Sequence, residues 1–155
     1  MANTVRSAAS GVARRAADPA WVSRRLGEAP WEFDLFQAMR LVEAAYPGRA
    51  RIGEARRPVA EPVRLAQEPS LAFAPATLSA FRRTGEGLPP TLEVRFFGLL
   101  GPNGPMPLHL TEYARERLLH AGDPTFPRFL DTLQHRFLAL FYRAWAQAQL
   151  TVSLD

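Results

Sequence analysis

Residues 101–107 constrain the fold most, because they read Gly-Pro-Asn-Gly-Pro-Met-Pro. Their prolines lack backbone N–H donors, so this segment can be neither the interior of a helix nor a central strand. Two glycines in it tolerate the positive φ angles that a sharp bend requires. We therefore predict a rigid corner, called the Gly-Pro corner below, made of Gly98, Gly101, Pro102, Asn103, Gly104, Pro105 and Pro107.

A small sheet is predicted before this corner. Leu92, Val94 and Phe96 alternate with Glu93 and Arg95, which is the two-residue period of a half-buried strand. The segments Val-Arg-Leu at 63–65 and Leu-Ala-Phe at 71–73 predict two further short strands. The middle of the chain should therefore form a small, mainly antiparallel sheet.

Two helices are predicted before the sheet. Asp18 followed by proline indicates a helix start, giving a short helix over 19–26. Asp34 and Gln37 make a capping box ahead of an apolar run with helical period. That helix should end at the Pro-Gly pair at 47–48.

Two more helices are predicted after the corner. Thr111 is expected to cap the first, and Gly122 to end it in the left-handed conformation. The Asp-Pro pair at 123–124 indicates the start of the second. Pro127 leaves two alternatives there: a loose first turn, or a regular helix that starts one or two residues later with Thr125 as its cap.

This last helix is apolar over much of its circumference, so we expect it to be covered on more than one side. Each large apolar residue left uncovered would forfeit roughly 1.5 to 3 kcal/mol. We predict that it forms a partner interface, with the residues Phe129, Leu133, Phe137, Leu138, Phe141, Tyr142 and Trp145.

The predicted fold class is thus α+β, with the sheet in the middle, helices before it and a helical hairpin after it. The 155 residues are 47% hydrophobic and 22% charged, which is typical of globular proteins rather than disordered ones. Residues 1–18 are expected to be a flexible tail. Without cysteine, the chain has no disulfides and no thiolate metal sites, and no apolar run approaches the length of a membrane span.

Catalytic and metal-binding motifs are missing from the sequence. His109, His120 and His135 do not form the His-Glu-x-x-His pattern of zinc enzymes. Each histidine is expected to be a capping or hydrogen-bonding residue instead. Phosphate-loop and Gly-x-Ser-x-Gly signatures are also absent, so we predict no enzyme activity, no catalytic residue, no metal and no cofactor.

The formal net charge of +4 and the arginine pairs at 56–57 and 82–83 offer one alternative, a basic nucleic-acid-binding module. Glutamates are scattered among these arginines, which favours a solvated surface of mixed charge over a phosphate-binding patch.

Resemblance to a known family goes further than these patterns. The run 97–112, FGLLGPNGPMPLHLTE, followed by Asp-Pro at 123–124, Phe-Leu-Asp at 129–131, His-Arg at 135–136 and Leu-Phe-Tyr-Arg-Ala-Trp at 140–145, resembles TssG, also called ImpH or VasB. The segments at 33–43, 51–53, 61–64 and 69–73 occur in the order expected of that family.

This resemblance implies a non-catalytic structural subunit of the type VI secretion system baseplate, a contractile injection machine related to phage tails. The implied partners are a TssF-like wedge protein, a TssK-like adaptor and, through the wedge, a TssE-like sheath initiator. The implied location is the cytoplasmic face of the bacterial inner membrane, in a hetero-oligomer without nucleic acid and without membrane insertion. Family members are about twice this length, so we expect residues 19–155 to be the N-terminal part of such a subunit, without its C-terminal half.

Overall fold

The computed structural model describes residues 18–83, 85 and 87–149, so the predicted tail lies outside the described residues except for Asp18. Three strands are flanked by helices on both sides in the sequence, which confirms the α+β class. The elements are α1 (Pro19–Glu28), α2 (Leu35–Ala45), β1 (Arg64–Gln67), β2 (Leu78–Arg82), β3 (Thr91–Val94), α3 (Leu108–Ala121) and α4 (Thr125–Ala148), with short 3-10 helices at Pro30–Glu32 and Pro58–Ala60.

The sheet has the order β1–β3–β2. β1 pairs with β3 in parallel, with Arg64 opposite Thr91, whereas β2 pairs with β3 antiparallel. The sheet is therefore mixed, where the sequence predicted a mainly antiparallel one. The reason is that β3 inserts between the two earlier strands, and only β2 runs opposite to it.

The strand predicted at 71–73 is wrong. Phe73 is 84% exposed, and the strand lies at Leu78–Arg82, where Leu78 and Phe81 are buried. β3 also differs from the half-buried strand expected, since all four of its residues are buried. Glu93 is tolerated there because its carboxylate lies 3.4 Å from the Arg82 guanidinium.

The N-terminal helices begin where the capping residues predict. The Asp18 carboxylate accepts a hydrogen bond from the Ala20 N–H at 2.9 Å, and Asp34 accepts one from the Gln37 N–H at 2.8 Å. α2 ends at Ala45, just before Pro47. α1 packs on β2 and on α2. The central core consists of Val22, Leu26, Leu35, Ala38, Met39, Val42, Ala45, Ile52, Val63, Leu65, Leu78, Phe81, Leu92, Val94, Leu138, Ala139 and Tyr142.

The helices after the corner differ in detail from the prediction. α3 starts at Leu108, and Thr111 is a buried residue inside it rather than its cap. Gly122 ends α3 with a left-handed φ of 60°, as predicted. α4 starts at Thr125, which makes Pro127 its third residue. Proline is tolerated at that point because the first N–H groups of a helix have no intrahelical acceptor.

α4 closes the outer edge of β1. The N–H of Leu65 donates to His135 Nδ1 at 3.1 Å, and the N–H of Gln67 donates to Asp131 Oδ1 at 3.0 Å. These two N–H groups are directed away from β3. The N–H of Arg64 is directed toward β3 and donates to Pro90 O. Two side chains one helical turn apart thus satisfy backbone donors that an edge strand would otherwise leave unpaired.

The two acceptors have opposite pKa shifts with the same main cause. Burial raises the pKa of Asp131 to about 6, against the lowering effects of the Gln67 N–H and the Arg128 guanidinium. Burial lowers the pKa of His135 to about 4, and the charges of Arg64 and Arg136 lower it further. His135 is therefore neutral at physiological pH, as its acceptor role at Nδ1 requires.

We predict that two single substitutions reveal opposite pH dependences of the free energy of unfolding. Asp131 binds protons more readily in the folded chain, so removing it with Asp131→Asn should make stability relative to wild type rise from about pH 4 to 6. His135 binds protons more readily in the unfolded chain, so removing it with His135→Asn should make stability relative to wild type fall from about pH 4 to 6.5. Each slope should be at most about 1.4 kcal/mol per pH unit.

Urea denaturation of both variants and wild type across this pH range measures these slopes. Asparagine retains an acceptor oxygen at both positions, so the edge contact itself can persist. Parallel pH profiles for the two variants would contradict the assignment.

Candidate interaction surface on the last helix

The outward side of α4 is apolar, although it faces solvent. We call the residues of this side the α4 stripe: Phe129 at 64% exposure, Leu133 at 50%, Phe137 at 51%, Leu140 at 43% and Phe141 at 39%. Four of them recur every four residues, which places them along one side of the helix. Contiguous exposed apolar residues of this kind mark interaction sites more often than scattered ones do.

Two of the predicted interface residues lie in the core instead. Leu138 is fully buried, and Tyr142 is 2% exposed. The Tyr142 hydroxyl donates to Glu43 Oε2 at 2.7 Å, and burial together with this carboxylate raises the pKa of Tyr142. These two side chains therefore anchor α4 in the central core, away from the exposed stripe, and the bond between Tyr142 and Glu43 attaches α4 to α2.

The C-terminal end of the stripe continues into an aromatic cluster. The ring of Phe141 lies 5.3 Å from that of Phe97, in a stacked arrangement, and 6.3 Å from that of Phe96. On its other side lies Phe36, at 5.6 Å. Trp145 stacks on Phe36 at 4.3 Å. Trp145 is the last of the predicted interface residues, and its ring is thus partly covered by Phe36 of α2.

Sequence reasoning missed Phe36, Phe96 and Phe97 as parts of this surface. The available signal was the Phe-Phe pair at 96–97, directly after β3 and before the corner. Phe96 is 40% exposed and Phe97 is 37% exposed, since both lie beyond the end of the buried strand at Val94.

A cleft of about 730 Å³ adjoins this cluster. One wall is Trp145, and the floor is the outward side of α2. Its lining residues are Asp34, Phe36, Gln37, Arg40, Leu41, Ala44 and Trp145. Apolar and polar side chains are mixed there, so the cleft extends the apolar surface and gives it a polar rim.

The Gly-Pro corner is held by hydrogen bonds to its neighbours. Gln67 Nε2 donates to Leu100 O at 2.7 Å, and Leu100 N–H donates back to Gln67 Oε1 at 2.9 Å. The Gly101 N–H donates to Thr111 Oγ1 at 2.9 Å. The corner is thereby fixed to both β1 and α3.

Glycine is required in the corner for two different reasons. At Gly98, an added Cβ would clash with Gln67 Oε1 and lie 2.6 Å from Gln134 Oε1. At Gly101, φ is +98°, a conformation that other residues rarely adopt. The prolines and Asn103 fill the turns between them. Beyond the corner, Leu100, Ala114 and Leu130 form a small second core that joins α3 to the start of α4.

Among residues 18–83, 85 and 87–149, no group of three or more His, Asp or Glu side chains could hold a metal ion. His109 and His120 are exposed on α3, far in sequence from the acceptor His135. Within the same residues, no helix combines the length and apolar character that a bilayer span requires.

Several arginines are committed to carboxylates. Arg95 Nε lies 2.7 Å from Glu68 Oε2, and Arg117 Nη2 lies 2.7 Å from Asp123 Oδ2. The Asp123 pKa is lowered by Thr125 and Arg117. Ion pairing of this kind gives a surface of mixed charge rather than a continuous phosphate-binding patch.

We predict that Gly98→Ala destabilises the fold by about 1 to 3 kcal/mol, because the added methyl group overpacks the space between Gln67 and Gln134. Gly48→Ala is the matched control, since an added Cβ meets nothing within 4 Å there. Denaturation midpoints of the two variants measure the difference, and equal midpoints would show that the corner is not tightly packed.

Comparison with known proteins identifies the family of this chain. No curated protein and no solved structure gave a significant match. A protein-family comparison matches residues 29–155 to the family described as "Type VI secretion, TssG". This range includes the sheet, the Gly-Pro corner and the α4 stripe. The chain belongs to the TssG family of type VI secretion proteins.

Proposed function

We propose that this chain is a non-catalytic structural subunit of the baseplate wedge, which scaffolds a TssF-like wedge protein and a TssK-like adaptor, with a TssE-like sheath initiator reached through the wedge. Its place would be the cytoplasmic face of the inner membrane. The proposal further treats residues 19–155 as the N-terminal part of the subunit. Family membership supports the general role.

The observation that carries the proposal is the α4 stripe. Phe129, Leu133 and Phe137 are each at least half exposed, although covering one such side chain is worth roughly 1.5 to 3 kcal/mol. Large aromatic residues are also enriched at the energetic centres of protein interfaces. A scaffold subunit has partners available to cover such a surface.

The Gly-Pro corner supports the same role. Its contacts with Gln67 and Thr111 fix the direction in which the chain leaves the sheet. Leu130 in the second core then fixes the start of α4. A rigid support keeps the stripe in one orientation, which reduces the ordering cost of association.

The structure offers no specific observation in favour of the nucleic-acid alternative. The charges of two arginines on α4 are partly offset by carboxylates, since Arg128 lies 3.3 Å from Asp131 Oδ2 and Arg143 lies 3.9 Å from Glu54 Oε1. Removal of nucleic acid by high salt should therefore leave the ability of the chain to bind its wedge partner unchanged.

We predict that Phe137→Ala weakens association with the TssF-like protein at least about tenfold, from the loss of one buried aromatic contact. Phe141→Ala should act in the same direction. Co-expression followed by size-exclusion chromatography with light scattering measures the complex. Trp145→Ala is a less direct test, because it also removes the stacking on Phe36.

Phe73→Ala is the matched control, since Phe73 is 84% exposed in a loop outside the stripe. Wild-type elution of the Phe137→Ala and Phe141→Ala complexes would show that α4 is not a wedge interface. If the Phe73→Ala control loses the complex as well as the two stripe variants, the loss is not specific to the α4 stripe, and a different surface would bind the partner.

A further inference from the structure

We propose that the occupant of the α4 stripe is an amphipathic helix of the wedge partner, whose apolar side is flanked by carboxylates. This inference rests on the proposed function, since it names the kind of segment that the interface would receive. Four features support it: the length of the stripe, the spacing of its residues, the pairing of the β1 edge with α4, and the charges on α4.

The dimensions of the stripe fit a helix. From Phe129 to Phe141 it extends ~18 Å at a rise of 1.5 Å per residue, about three helical turns. Four of its five residues recur at intervals of four. Such a row forms the ridge that packs between the side chains of a second helix.

An extended segment fits less well, because the neighbouring sheet edge is already used. A strand would pair with free backbone donors of β1. The outward N–H groups of Leu65 and Gln67 donate to His135 and Asp131 on α4 itself. The partner must therefore bind through side chains, as a helix does in a groove.

The charged side chains of α4 that border the stripe are arginines, and two of them already face carboxylates of this chain. Arg128 lies 3.3 Å from Asp131 Oδ2 and 3.8 Å from Glu93 Oε1, and Arg143 lies 3.9 Å from Glu54 Oε1, whereas Arg136 donates to the Gly53 carbonyl. Asp131 is the only acidic residue in α4, and it is 8% exposed. Arg128 and Arg136 are exposed, and Arg143 is partly exposed. A partner helix with acidic flanks would complement these arginines, whereas a basic one would be repelled.

The arginines can make these contacts without breaking those they have. Arg136 Nη1 and Arg143 Nη1 each donate to Gly53 O, at 3.3 and 3.2 Å. A guanidinium carries five N–H donors in a planar fork, so one bond to Gly53 leaves donors for a carboxylate. The bond to Gly53 also holds each side chain near the helix, which lowers the entropy cost of a second contact.

The first test is charge reversal in the full chain co-expressed with the TssF-like protein. Arg136→Glu should weaken the complex about three- to tenfold, and added salt should weaken the wild-type complex more than the variant complex. Arg24→Glu on the exposed side of α1 is the matched control and should change nothing. Arg136→Gln, with an intermediate effect, separates charge from folding, and unfolding midpoints verify the fold of each variant.

Three results are decisive. Weakening by both Phe137→Ala and Arg136→Glu supports the inference. Weakening by Phe137→Ala alone overturns the acidic flanks and leaves the proposed function standing. If neither substitution weakens the complex, both proposals fail.

Photo-crosslinking identifies the occupant directly. A benzophenone amino acid at Leu133 in the full chain should crosslink to a partner segment with apolar residues every three to four positions and Asp or Glu beside them. A crosslinked segment that is extended or rich in basic residues would overturn the inference. So would binding to vesicles of anionic lipid that is lost in Phe137→Ala while the wedge complex is unchanged.

Discussion

The edge of a three-stranded sheet leaves backbone donors that must be satisfied, and α4 satisfies them here. Asp131 and His135, one turn apart, accept the outward N–H groups of Gln67 and Leu65. Both side chains are buried, which shifts their pKa values in opposite directions. The position and rotation of α4 are set by these bonds, because a helix turned about its axis would leave both donors unpaired.

This constraint determines which side of α4 faces outward. With the polar pair directed at β1, Leu138 and Tyr142 point into the core, and the remaining side carries Phe129, Leu133 and Phe137. The Gly-Pro corner fixes the start of the helix through Leu130, and the bond between Tyr142 and Glu43 fixes its far half to α2. The apolar surface is therefore a consequence of how the sheet edge is closed.

Local signals in the sequence predicted much of the fold. The caps at Asp18 and Asp34 and the stop at Gly122 depend on neighbouring residues only, so the sequence shows them directly. The strand at 78–82 was missed because its register is fixed by pairing with β3. Two of the seven predicted α4 interface residues, Leu138 and Tyr142, are buried in the core. The helical period identifies an apolar helix, but only contacts with β1 and α2 separate buried Leu138 from exposed Phe137.

We infer that α4 closes the β1 edge with one side and binds a partner with the other. Hydrogen exchange of the full chain, alone and in complex with the TssF-like protein, tests this inference most directly. The amides of Leu65 and Gln67 should be protected in the chain alone and unchanged in the complex, because α4 already binds them. The segment 129–141 should gain protection only in the complex. Free exchange at Leu65 and Gln67, or unchanged exchange of 129–141 on binding, would contradict this account.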